Sequence, residues 1–174
     1  MLQSETLLEA IESCIEEYQK IIGNKKKNKI PQANDIDKIR EIPFLVSQGV
    51  DTDYKLAKHF QFSKRQGSYY REATQILGLI NTNGICYHLT ESGEKYVHLP
   101  IEIQKKFFVK LILDFPVIHM LFSNLKADEN KSFTLRDIVE ILNVNSSLTG
   151  KTLTRRANTI SRWLKWIQYN IKSV

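Results

Sequence analysis

Apolar residues recur every three or four positions along most of the chain, and this pattern predicts a mainly helical protein. Leu7, Leu8, Ile11, Cys14 or Ile15, Tyr18, Ile21 and Ile22 outline an amphipathic helix over residues 4–22, with Ser4 as cap and Gly23-Asn24 as stop. A polar, lysine-rich linker, Lys25 to Pro31, follows without periodicity, and its lysines are able to touch phosphate. Residues 35–47 then predict a helix on Ile36, Ile39, Ile42 or Phe44, and Val46, with Pro43 bending or interrupting it. After Gly49, Asp51 or Thr52 caps a short helix to about Phe60, with Tyr54, Leu56, Ala57 and Phe60 inward. Gln61-Phe62 makes a tight turn, and Ser63 caps a longer helix ending near Gly78, with Tyr70, Ala73, Ile76 and Leu77 inward. Two β-prone runs, Leu79–Thr82 and Ile85–Leu89, flank Asn83-Gly84, the expected turn of a hairpin. Thr90 opens another short helix, which Pro100 ends.

The second half repeats helical patterning with different residues. Apolar-rich helices run from Pro100 to about Leu113 and on to Leu125 across Pro116, supplying a shared core. Thr134 caps a short helix to Leu142, and a polar turn spans Asn143 to Gly150. Leu153, Ala157, Ile160, Leu164 and Ile167 then mark a helix over residues 153–169. The expected organisation is an N-terminal helix and linker (1–34), a first unit (35–100) and a second unit (101–174).

Charge changes the picture, because it is unevenly placed. Lys and Arg number 25 against 19 Asp and Glu, a net charge of +6. Glu5, Glu9, Glu12, Glu16 and Glu17 crowd the N-terminus, whereas beyond Glu140 there is no acid, only Lys151, Arg155, Arg156, Arg162, Lys165 and Lys172. Basic charge gathered at one end points to a polyanion, with a solvated basic helix as the plain alternative. The acidic helix reads as structural packing or a dimer contact. No apolar run approaches the roughly 20 residues that span a bilayer. The N-terminus lacks an export pattern, and Cys14 and Cys86 form no CxxC pair or disulfide framework, so a cytoplasmic, nucleoid-associated protein without membrane contact is expected.

Helix, short helix, longer helix and hairpin is the order of a winged helix-turn-helix. Ser63 through Gly93, with Tyr-Tyr-Arg-Glu-Ala, Leu-Gly-Leu-Ile and Leu-Thr-Glu-Ser-Gly, resembles the core of prokaryotic winged-helix DNA-binding domains. Thr154-Arg155-Arg156-Ala157-Asn158-Thr159-Ile160 with Trp163-Leu164-Lys165-Trp166-Ile167 resembles the last helix of winged-helix modules in restriction-modification and related defence proteins. The resemblance covers residues 35–174 and implies two tandem winged-helix-like units. It departs from the pattern at the end, where only Ile171-Lys172-Ser173-Val174 follows, leaving the second unit at most one strand and no wing.

The chemistry expected of such modules is placed on two helices. On residues 153–169, Arg155, Asn158, Thr159, Arg162 and Lys165 fall opposite the leucine stripe, joined by Lys151 and Arg156. Arg donates two parallel hydrogen bonds to guanine, Asn pairs with adenine, and Thr and Lys reach phosphates. Trp163 and Trp166 read as core anchors rather than base-stacking platforms. On the helix from Ser63, Lys64, Ser68, Arg71 and Gln75 share one face, flanked by Arg65, Gln66 and Tyr69, while Gly67 permits close backbone approach or simply packs. Lys55 and Lys58 on the preceding helix are placed to grip phosphates. Base edges are assigned to Arg65 and Arg155, phosphates to Lys58 and Lys165.

Signals for catalysis are poor. Gly150-Lys151-Thr152 imitates a phosphate loop, but Asn145 stands where its first Gly belongs. Asp114 with Glu129-Asn130-Lys131 matches a nuclease carboxylate pattern loosely, yet lies in helical and loop sequence rather than on adjacent strands. His59, His88, His98 and His119 lack metal-ligand spacing. The reading is therefore sequence-specific double-stranded DNA binding without catalysis, cofactor or metal, as the target-recognition part of a restriction-type endonuclease. A homodimer or a separate nuclease domain or subunit is the expected partner. A stand-alone transcriptional regulator and a winged-helix protein-interaction module are the alternatives.

Overall fold

The computed structural model describes residues 29–126 and 133–171. The helix expected over residues 4–22, most of the lysine-rich run, Glu129, Lys131 and the terminal Lys172–Val174 lie outside them. The described residues form a mainly helical protein with one small antiparallel sheet. In chain order the elements are α1 (Ile36–Ser47), α2 (Asp53–Phe60), α3 (Lys64–Ile76), β1 (Ile80–Asn83), β2 (Cys86–Leu89), α4 (Glu91–His98), α5 (Ile101–Leu113), α6 (Pro116–Lys126), α7 (Leu135–Asn145) and α8 (Gly150–Ile171).

Local sequence explains most of the boundaries. The side chains of Asp35, Thr52, Ser63, Thr90 and Thr134 each accept a backbone N–H of the first turn that has no partner within the helix. Ser63 with Gln66 and Thr134 with Asp137 complete capping boxes. Pro43 lies inside α1 without ending it. Between α2 and α3 the chain turns at Gln61, whose φ of 55° is left-handed. The two helices cross closely because residue 67 is glycine: a Cβ there would lie 3.1 Å from the Asp53 carbonyl oxygen and 3.3 Å from Ala57 Cβ.

The hairpin forms, with its turn shifted by one residue from the expected Asn83-Gly84. Asn83 pairs with Cys86, so Gly84 and Ile85 are the turn residues, and of the two only Gly84 has positive φ. That is the II′ arrangement, which puts its single left-handed position on glycine and spares the β-branched isoleucine. The β2 strand also donates a hydrogen bond from its other edge, Tyr87 N–H to the Asp51 carbonyl, 2.7 Å. The Thr90 N–H and hydroxyl bond the Leu79 and Gly78 carbonyls, fastening the start of α4 to the start of β1.

One hydrophobic core joins the two halves of the chain. Ile39, Ala73 and Tyr96 from the first half are buried with Phe108, Ile118, Ile138 and Trp163 from the second. A smaller cluster of Ile42, Leu56, Ile80 and Tyr87 lies under the hairpin. Tyr54, expected inward, is 71% exposed near the start of α2. The stretch from Ile30 to Asn34, read from sequence as the end of a linker, enters the main core through buried Ile30 and Ala33. We call it the strap.

Candidate nucleic-acid interface

The α8 helix is 22 residues long, or about 33 Å at 1.5 Å per residue. Its apolar stripe fixes its orientation, since Ala157, Ile160, Leu164 and Ile167 are buried against the core. Trp163 is also fully buried and its indole N–H donates to the Ala33 carbonyl, 2.9 Å, so it is an anchor. Trp166 is half-buried: its N–H donates to Asp37, and the Arg40 guanidinium lies 5.6 Å from its ring centroid. On the opposite side Lys151, Arg155, Asn158, Arg162 and Lys165 are exposed at successive spacings of four, three, four and three, which makes one line along the helix. Among the described residues no carboxylate pairs with Lys151, Arg155, Arg162 or Lys165. The Asn158 amide donates to the Thr154 carbonyl, 3.0 Å, on an exposed side chain.

Two residues expected on this face are elsewhere. Thr159 is fully buried, and its hydroxyl donates to Asn34 Oδ1 at 2.7 Å. Arg156 is half-buried and donates from Nη1 to the Ile30 carbonyl at 2.7 Å, while its Nε is buried without a partner. Burial pushes the Arg156 pKa down, opposed by the nearby Glu72 carboxylate of α3. Both residues lie on the flank of α8 that the strap covers. They hold the strap rather than face solvent.

The expected face of α3 is likewise divided. Lys64 and Arg65 are exposed, with Arg65 Nε bonded to the Tyr69 hydroxyl and the guanidinium 5.6 Å from that ring centroid. The other expected contacts are committed within the protein. Gln66 completes the cap with Ser63. Ser68 donates to Asp53 at 2.9 Å, and Arg71 pairs with the same carboxylate at 3.1 Å and bonds Gln75. Gln75 in turn donates to Thr82 of β1 at 3.3 Å. The line Ser68, Arg71, Gln75 therefore faces α2 and the hairpin, because Asp53 at the start of α2 gathers Ser68, Arg71 and the Tyr87 hydroxyl of β2. Burial alone would raise the Asp53 pKa. The hydrogen bonds from Tyr87 and Ser68 and the charge of Arg71 outweigh it and hold the carboxyl below its ordinary value. On α2, Lys55 is occupied by Asp51 and the Gly49 carbonyl, at 2.8 and 2.9 Å, whereas Lys58 is exposed.

Residues that sequence reasoning did not single out seat the strap on α8, namely Asn34 and the carbonyls of Ile30 and Ala33. Lys29, one of the linker lysines read as able to touch phosphate, is exposed at the start of the strap. A signal was present in Ile30, Pro31 and Ala33, three apolar residues directly after the lysine run. Of the weak catalytic patterns, Asp114 sits at the C-terminal end of α5, and Glu129 and Lys131 fall outside the described residues. His59 bonds Glu41 at 2.9 Å, and His98 bonds the Glu94 carbonyl at 2.8 Å. Among the described residues no group of three His, Cys, Asp or Glu side chains is placed to hold a metal ion, and no helix is long and apolar enough to cross a membrane.

The arrangement is a long cationic ridge with hydrogen-bonding groups along it, able to meet an anionic surface over several turns. No curated protein and no solved structure matches the chain. A family model does match it, over residues 38–172, and the chain belongs to that family, a domain of unknown function (DUF7226).

Proposed function

We propose that this chain binds double-stranded DNA in a sequence-specific manner through the exposed line of α8, without catalysis of its own. The observation that carries the proposal is the acid-free α8 helix, whose Lys151, Arg155, Arg162 and Lys165 project to solvent with no carboxylate partner among the described residues. An unpaired cationic line of this kind releases counterions when it neutralises phosphates, and its arginines offer two-pronged donors to guanine. The α7 helix, a short turn and α8 have the order of a helix-turn-helix. The first half supports the same reading. There α1, α2, α3 and the hairpin follow in the order read from the sequence as that of a winged helix.

The context we propose is target recognition for a restriction-type endonuclease whose catalytic domain or subunit lies outside this chain, on the resemblance of residues 154–167. A stand-alone regulator would use the same surface. A protein-interaction module is favoured by a different observation, the exposure of Val144 (82%) at the end of α7 and Ile85 (80%) at the hairpin tip.

The test is duplex binding by the protein in which Arg155 and Arg162 are both changed to Ala. Binding should fall below detection at 100 mM salt while the helical circular dichroism is kept. Affinity unchanged within error would remove α8 from the interface. Salt separates the two classes of partner, because DNA affinity falls steeply as salt rises and an apolar protein contact does not.

A further inference from the structure

The two basic helices do not lie on separate surfaces. The strap runs between them and is held from both sides by consecutive residues. The Asp35 backbone N–H donates to the Tyr70 hydroxyl of α3 at 3.3 Å, and Asn34, one residue earlier, accepts from Thr159 of α8 at 2.7 Å. Further bonds from Arg156 to Ile30 and from Trp163 to Ala33 lay the strap along the middle of α8. From the other bank, Glu72 and Tyr69 of α3 are close enough to act on the Arg156 charge. Adjacent residues of the strap are thus bonded to both helices, forming a seam between them. Directly packed helices lie about 8–10 Å apart, and an intervening chain adds about 5 Å. Successive major grooves on one side of a duplex are roughly 34 Å apart. Two helices this close cannot serve two successive grooves.

Three exposed cationic side chains stand on the elements that form this seam, which also holds the Glu72 carboxylate near Arg156. Arg65 of α3 rests on Tyr69, Arg155 of α8 stands next to Arg156, and Lys29 is exposed where the strap begins. Among the described residues none of these three is in an ion pair. We infer that Arg65 of α3, Lys29 of the strap and Arg155 of α8 belong to one composite face that takes a single stretch of duplex DNA of about one helical turn, instead of two half-sites read by two separate units. The inference rests on the DNA-binding reading above and adds to it the size of the ligand and a contact, Lys29, from outside both helices.

Mixed-sequence duplexes of 12 and 24 base pairs, titrated by fluorescence anisotropy over a range of salt, test it. The full chain and its Lys29→Ala, Arg65→Ala and Arg155→Ala variants are compared, and because all three side chains are exposed, each variant should keep the parent melting temperature. One protein should bind the 12-base-pair duplex. Each substitution should weaken binding to that same short duplex several-fold and shallow its log–log salt slope by about one. The composite face is overturned, with DNA binding intact, if only the 24-base-pair duplex is bound, or if Lys29→Ala or Arg65→Ala leaves binding to the short duplex unchanged. Failure of the parent protein to bind either duplex at low salt overturns the DNA reading itself, and the composite face with it.

Discussion

At Asp53 one carboxylate closes three elements on one another, because Ser68 and Arg71 of α3 and Tyr87 of β2 all donate to it from different directions. Its depressed pKa makes the fold's stability depend on pH with a definite sign. A carboxyl whose folded pKa lies below its unfolded value of about 3.9 contributes fully at neutral pH. That contribution declines as pH falls below about 4 and is gone once pH has passed through the folded pKa. Asp53→Asn should therefore cost about 1–3 kcal/mol at pH 7, the scale of charge-assisted hydrogen bonds at a part-buried site. The gap between parent and variant should narrow on acidification toward pH 3. Urea unfolding at the two pH values measures it, and a gap independent of pH would show that the carboxylate charge contributes nothing. Residue-scale detail of this kind was the least legible in the sequence. Lys64, Arg65, Arg155 and Arg162 are exposed as their helical spacing implied, but Thr159 and Arg156 are not. Periodicity separates the core side of a helix from its opposite. It says nothing about a flank covered by a strap whose contacts come from 125 residues earlier in the chain.

Elements were easier to read, because they are specified by neighbours in sequence. Caps at Thr52, Ser63, Thr90 and Thr134 and the stripe from Leu153 to Ile167 gave α2, α3, α4, α7 and α8 to within a few residues. The hairpin register was missed by one position, since Asn-Gly satisfies a two-residue turn locally and only the pairing of Asn83 with Cys86 selects Gly84-Ile85. Glycines at helix crossings offer a check on packing at this scale. At Gly93 a Cβ would sit 2.0 Å from the Leu79 carbonyl oxygen, a backbone atom fixed by its own bond from Thr90, so α4 or β1 must move. At Gly67 the nearest atom is 3.1 Å away, and small adjustments suffice. Gly93→Ala should thus be destabilising by about 2–3 kcal/mol or more, and Gly67→Ala by about 1 kcal/mol or less. Thermal melts of the two variants rank them, and equal costs would mean that α4 is free to shift on the sheet.

Across the whole molecule, one core spans the division near residue 100, in keeping with the apolar helices after Pro100 expected to supply a shared core. Tyr96 from the first half packs against Phe107 and Phe108 from the second, and Arg40 of α1 lies over Phe108 and Trp166 at 5.9 and 5.6 Å from their centroids. The sequence showed apolar helices in the middle of the chain but not which half they would bury, since burial partners are chosen in three dimensions. A core shared in this way couples the halves energetically: neither can lose its packing without exposing apolar surface of the other, and small coupled units unfold together. Two probes placed at opposite ends report on that coupling. Trp163 and Trp166 give the intrinsic fluorescence of α8, while the exposed thiol of Cys86 in β2 accepts a dye on the hairpin once Cys14 is changed to Ser. Both signals should follow one guanidinium transition with the same midpoint. Phe108→Ala, which empties a fully buried site where α1, α4, α5 and α8 meet, should cost about 3–5 kcal/mol and move both midpoints equally. Separate midpoints, or a Phe108→Ala shift seen only by tryptophan, would mean two independently folding units.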